Sequence, residues 1–242
     1  MESENRVVKL GMEQKTFQSP DGAKLNYCIR KTGDWFAMDP AAVLLFLHGA
    51  GERGSDNQQQ LIHGATDLVN FCETEKIKAV LLFPQCPENV MWIEQEWTLP
   101  KHEMTPQPTP QLKHALELLD SVIEQGNCDP KRVYVTGISM GGFGTWEALS
   151  RRPELFAAGM PICGGGDVRQ APRLKDIPLR VFHGEEDSVV MVKRSRDMVA
   201  AIRAAGGTNV SYTEYPGVDH DSWTVTYANH ENLRWLFSQT RL

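Results

Sequence analysis

Apolar residues in this chain fall into short unbroken runs, separated by stretches where they recur every three or four positions. The run at 42–47, AVLLFL, is too short for a helix and stops at His48-Gly49. Such a run fits a strand buried on both faces of a parallel sheet. Runs of the same kind recur at 79–83, 132–136, 157–163, 179–182 and 210–214. Two earlier pieces, 15–18 and 23–30, flank the turn signal Pro20-Asp21-Gly22 and read as further strands. Between the runs, residues 112–124 carry Leu112, Ala115, Leu116, Leu119, Val122 and Ile123 on one stripe, which predicts a helix. Residues 191–205 do the same through Val192, Met198, Val199 and Ile202, and Gly206-Gly207 ends that helix. Leu233, Trp235, Leu236 and Phe237 predict a closing helix over 232–238.

Strands alternating with helices imply right-handed crossovers, so the expected class is α/β: a mostly parallel central sheet with helices on both faces. One domain over 1–242 is expected, with residues 1–40 supplying the amino-terminal strands. Ligands of such sheets bind beyond the carboxyl ends of the strands, where loops follow apolar runs. Segment 85–110 breaks the alternation with Pro87, Pro100, Pro106, Pro108 and Pro110, together with Trp92 and Trp97. A connection that long and irregular is usually functional or disordered. It is expected to wall an active site, with Trp92 and Trp97 against the substrate.

The sequence Gly137-Ile138-Ser139-Met140-Gly141 stands between a β-rich run and a helical stretch. A serine thrust out on a sharp strand-to-helix turn needs strained backbone angles and small residues two positions away on either side. Its hydroxyl is a weak nucleophile until a base, itself oriented by a carboxylate, takes the proton. On this kind of turn the acid follows the serine in the chain and the histidine follows the acid. Asp187, just beyond the run at 179–182, is the expected acid, with Glu185 and Glu186 as rivals. His220, on the loop after the run at 210–214, is the expected base; Asp219 and Asp221 read as its solvated neighbours. Of the other histidines, His63 and His114 fall in helical patterns and His183 comes too close to a strand end. Attack on a carbonyl also needs donors preset for the oxyanion. The N–H of Met140 is one; the glycine-rich loop after residue 47 supplies the other, Ala50 first and Gly51 second.

Composition narrows the partners. The formal net charge is -6 with no basic block, which argues against nucleic acid, since phosphate binding needs clustered Lys and Arg. The five cysteines lack paired spacing and read as reduced thiols, as in a cytoplasmic protein. The amino-terminal stretch is polar, and no apolar run is long enough to span a bilayer. No metal motif is present, and Cys163 reads as a packed thiol at a strand end. No cofactor is expected, and the sequence leaves the oligomeric state open.

Taken together, LHGAGERGSDN, GISMGGFGTWEAL, HGEEDSVV and DHDSW resemble the phospholipase/carboxylesterase group of α/β-hydrolases, near the dienelactone-hydrolase-like and feruloyl-esterase-like enzymes known as predicted peptidases. The resemblance runs from about residue 42 to 237. It implies an α/β-hydrolase fold with no large lid domain. It also implies a metal-free serine esterase acting on small to medium acyl esters, with Ser139, Asp187 and His220 at the triad positions and Ala50 and Met140 at the oxyanion positions. Two other readings compete. Gly49 to Gly54 also spells the glycine fingerprint of a dinucleotide-binding oxidoreductase, with Glu73 or Glu75 at the ribose-acid position. A catalytically silent binding protein on the hydrolase scaffold would carry the same sequence signals.

Overall fold

Successive side chains of a strand face opposite ways, so a strand that is apolar throughout needs cover on both sides. Strand β3 shows the result. Val43, Leu45 and Leu47 enter one core layer while Ala42, Leu44 and Phe46 enter the other, every one at most 1% exposed. The computed structural model describes residues 6–94 and 96–241, so the first five residues of the polar amino-terminal stretch lie outside it. Among the described residues the strands are β1 (Glu13–Gln18), β2 (Lys24–Thr32), β3 (Ala41–Leu47), β4 (Ala79–Pro84), β5 (Cys128–Ile138), β6 (Ala158–Ile162), β7 (Leu179–Gly184) and β8 (Val210–Tyr215). The helices are α1 (Arg6–Lys9), α2 (Ala65–Thr74), α3 (Pro110–Gln125), α4 (Met140–Arg151), α5 (Ala171–Leu174), α6 (Lys193–Ala204), α7 (Ser222–Ala228) and α8 (His230–Ser238).

The strands form one sheet in the order β1-β2-β4-β3-β5-β6-β7-β8. β1, β2 and β4 pair antiparallel, and every pairing from β4 through β3 to β8 is parallel. Leu112 and Leu116 of α3, Trp146 of α4 and Met198 of α6 cover one face. Leu68 and Phe71 of α2, Tyr227 of α7 and Leu233 and Phe237 of α8 cover the other. The chain runs from β3 out to β4 and then crosses back to β5 on the other side of β3. That reversal opens a crevice beyond the carboxyl ends of β3 and β5, the place where ligands of such sheets bind.

Four helices were not anticipated from periodicity, and two of these, α1 and α5, have only four residues each. α2 is only ten residues long, and α7, SWTVTYA, is rich in β-branched residues of low helix propensity. α7 is set by its cap: Asp221 Oδ1 accepts the Thr224 N–H at 3.1 Å. The described part of 85–109 contains turns and bends but no helix or strand. None of the described helices is long and apolar enough to cross a membrane.

Candidate active site

Ser139 occupies the single residue between the end of β5 and the start of α4, with φ 53° and ψ −119°. A non-glycine residue held there costs about 1–3 kcal/mol, and its surroundings must enforce it. Here the Ser139 N–H donates to the Ile162 carbonyl (3.0 Å), and its own carbonyl accepts the Phe143 N–H (3.1 Å). The flanking glycines are required by close approach. A Cβ on Gly141 would fall on the Leu47 carbonyl, and one on Gly137 would meet the Gly141 carbonyl oxygen.

His220 lies on the loop from β8 to α7, with Nε2 2.9 Å from Ser139 Oγ. Its Nδ1 lies 2.8 Å and 3.0 Å from the two oxygens of Asp187, which follows β7. A proton on Nδ1 is the arrangement this network favours, leaving Nε2 to accept from the serine hydroxyl. Asp187 Oδ1 also accepts the N–H groups of Val189 (2.9 Å) and Val190 (2.8 Å). A second histidine, His183, brings Nε2 to 3.1 Å of Oδ2 from the opposite side. Burial by itself would raise the Asp187 carboxyl, but the hydrogen bonds from His183, His220 and Val190 outweigh it and hold the group below the usual carboxylate range.

Glu185 and Glu186, the rival acids, are exposed, and Glu185 turns to the Gly217 N–H (3.3 Å). Asp219 ties the two loops together. Its Oδ1 accepts the N–H and hydroxyl of Ser188 and the N–H of His220, each at 2.8 Å. It is exposed, as the sequence suggested, but engaged rather than free, and Asp221, also exposed, is the cap of α7.

Beyond β3, His48 is fully buried and anchors the glycine loop. Its Nε2 accepts the Cys86 N–H (2.8 Å) while Nδ1 meets the Gly49 carbonyl (2.6 Å), which fixes a neutral ring. Burial pushes this imidazole down to about 4. Ala50 and Gly51 open a short 3₁₀ turn whose Glu52 N–H returns to the Gly49 carbonyl (3.4 Å). Met140 is the first residue of α4, where backbone N–H groups lack partners within the helix.

Ser139 and His220 open into a cavity of about 260 Å³, also lined by Ala50, Gly51, Trp97, Val189 and Trp223. Glu52 and His63 complete its wall. Sequence reasoning missed three of these residues. Trp223 stacks edge-on against His220 (5.3 Å, 89°), three positions along the chain. His63, read as helical, lies just before α2, its Nε2 3.7 Å from Glu52 Oε1. Glu52 sits inside the loop already singled out, yet nothing in the sequence says its carboxyl turns inward. Burial pushes that carboxyl up.

Trp92 requires correction. It is completely buried, donating from Nε1 to the His48 carbonyl (3.0 Å), and does not line the cavity. Gly144 of α4 leaves the space it occupies: a Cβ there would come within 2.9 Å of the tryptophan. Trp97, five residues on, does line the cavity.

Cys163 is buried beside the serine, its Sγ 3.3 Å from the Ser139 nitrogen, and burial drives its thiol far upward. Donor atoms of Cys163, Asp187 and His220 lie within 4.8 Å of one another. A protonated thiol and a carboxylate already accepting several hydrogen bonds suit proton transfer better than a divalent ion. Glu73 and Glu75, candidates for a ribose-binding acid, pair instead with Arg30 (2.6 Å) and Arg234 (2.7 Å).

Comparison with known proteins finds likeness to esterases and to one peptidase family. The prolyl oligopeptidase family (peptidase S9) matches residues 108–181. Carboxylesterase SOBER1 of Arabidopsis thaliana is 24% identical over 195 residues, covering 73% of this chain and 82% of that protein. The bifunctional acetylxylan esterase/xylanase XynS20E of Neocallimastix patriciarum is 31% identical over 116 residues, 44% of this chain but 17% of that protein. The crystal structure of a thermostable esterase superposes with a TM-score of 0.86 at 39% identity, covering 95% of this chain; the chain spans 63% of that structure's length. A ferulic acid esterase shares the fold at a TM-score of 0.69 and 17% identity. The chain has the α/β-hydrolase fold, and the proteins it resembles are esterases and serine-hydrolase relatives.

Proposed function

We propose that the chain is a carboxylesterase that cleaves small to medium acyl esters through an acyl-enzyme, with Ser139 as nucleophile, His220 as base and Asp187 as the acid that orients it. One observation carries this reading: Ser139 Oγ, the His220 ring and Asp187 form an unbroken hydrogen-bonded line, 2.9 Å and 2.8 Å per link, opening on a cavity at the sheet's carboxyl end. His220 takes the hydroxyl proton as Oγ attacks the ester carbonyl. The N–H groups of Met140 and of Ala50, or Gly51 beside it, receive the oxyanion, each donor contributing about 2.7–4 kcal/mol where such a donor has been removed in a protease. His220 then protonates the departing alcohol, and water repeats the sequence to release the acid.

The cavity volume, about 260 Å³, lies at the low end for ligand sites and favours a modest acyl group. Esterase relatives support the bond class, and the substrate is then a small-molecule ester needing no cofactor. The polar surface and reduced thiols fit a cytoplasmic setting. Fluorophosphonate labelling of the wild type and of Ser139→Ala, beside p-nitrophenyl esters from acetate to octanoate, tests the reading. Labelling should vanish in the variant and kcat should fall by several powers of ten, on the order of 10⁴ or more. A loss under about tenfold would remove Ser139 as nucleophile. A folded wild type that takes no label would favour a silent scaffold.

A further inference from the structure

A second cavity, of about 490 Å³, opens between residues 100–103, the 166–169 turn and α6. Nothing in the ester-cleaving reading uses it, yet it holds a buried guanidinium with no direct ion-pair partner among the described residues. Arg194, on the first turn of α6, lines this cavity and is only 4% exposed. Its guanidinium donates to the Leu99 carbonyl (3.0 Å) and to His102 Nδ1 (2.8 Å), and its Cζ lies 5.2 Å from the centre of the Phe143 ring. None of the ion pairs among the described residues includes it. Three carboxylates line the cavity, each paired with another cation, though Asp197 still acts on Arg194 through space; Glu103 pairs with Arg169 (3.1 Å). Asp167 is held by Arg169 (2.8 Å) and by the Met104 N–H (2.9 Å), and Asp197 by Lys193 (2.6 Å).

A staple between α6 and residues 99–102 could be made by a neutral amide, since both partners of the guanidinium are neutral acceptors. Arginine instead brings a permanent charge into a buried site, which is unfavourable unless an anion compensates it. His102 adds a donor. Its Nδ1 accepts from Arg194, so the ring proton sits on Nε2. Burial and the Arg194 charge press this imidazole down to about 4, keeping it neutral at pH 7. Lys101 stands at the rim, and Pro100, Val168 and Ala200 supply an apolar lining.

We propose that this cavity binds an organic carboxylate, its oxygens on Arg194 and His102 and its apolar body against Val168 and Ala200. The carboxylate has two chemical sources: an acid group carried by the ester itself, or a free acid of the kind that ester hydrolysis releases. Phe143 links the two cavities: Trp97, which lines the cavity at Ser139, packs against the cluster of Ile93, Phe143 and Val190, and the Arg194 guanidinium lies over the Phe143 ring. Only the choice between sources rests on the esterase reading; binding is measured without turnover.

Calorimetric titration of the full chain at pH 7 with benzoate, benzamide and inorganic phosphate tests the proposal. Benzoate should bind and raise Tm, with benzamide and phosphate at least about tenfold weaker, the cost of losing one charge-assisted pair or the apolar contact. Arg194→Gln should abolish benzoate binding. Because that variant also removes the staple, Ala200→Trp is the second probe: it fills the cavity, leaves Arg194 and its bonds in place, and should block benzoate while the unliganded Tm is kept. The p-nitrophenyl hemiester of succinate, run against p-nitrophenyl butyrate, separates the sources. If the acid belongs to the ester, Ala200→Trp raises KM for the hemiester alone and benzoate competes with it. If the acid is free, the two KM values move together and benzoate does not discriminate. Absent benzoate binding, equal binding of benzamide, tighter binding of phosphate, or indifference to Ala200→Trp would each overturn the proposal.

Discussion

At Ser139 the buried charge is Asp187, and two histidines and two backbone N–H groups converge on it. At Arg194, reached across the ring of Phe143, the buried charge faces a carbonyl and a neutral imidazole and no carboxylate. The first site is electrostatically complete without a ligand and, in the function proposed above, moves a proton. The second is complete only when an anion arrives. A buried charge thus has two uses in one fold, and the partners around it tell them apart.

Three measurements sharpen this contrast, taken from the largest effect to the smallest. Asp187→Asn should cost about 10⁴ in kcat, because the amide lets the proposed base adopt the wrong tautomer. Benzoate affinity at the second cavity should not change, and a parallel loss there would mean the two sites are not independent. Acid should act on both regions through stability. His48 and His102 are each held near 4, below the unfolded value, so the unfolded chain binds more protons between about 6.5 and 4. Stability is therefore fully present above about 6.5 and is lost as pH falls toward 4, by on the order of 3 kcal/mol for His48. Denaturant midpoints at pH 7 and pH 4.5 measure it, and His102→Gln should flatten the slope. A slope unchanged by that variant would discard the neutral imidazole at the second cavity. Trp97→Ala should lower kcat/KM for octanoate relative to acetate by about tenfold, the scale of a lost methylene contact. An unchanged ratio would take Trp97 out of the acyl pocket.

The central strands were legible because a sheet covered on both faces demands apolar runs, whereas β1 and β2, one of them exposed and polar, were legible only from the turn signal between them. Ser139 was legible through its flanking glycines, whose reason emerges only in space: Gly141 lies against the Leu47 carbonyl of a strand far back in the chain. Chain order brought Asp187 and His220 forward as candidates, and the geometry that joins them is consistent with that order. Trp92 and Trp97 were indistinguishable by sequence, because the gap that swallows one of them is set by Gly144 on α4. His63 and Glu52 were hidden for the same reason, their contact spanning residues with no shared periodicity. α7 was hidden because its start is fixed by one capping aspartate rather than by an apolar stripe.

One oxygen of Asp219 receives Ser188 and His220 at once. Opening either the loop that bears Asp187 or the loop that bears His220 therefore breaks hydrogen bonds to the other, while Asp187 keeps the contacts from His183, Val189 and Val190.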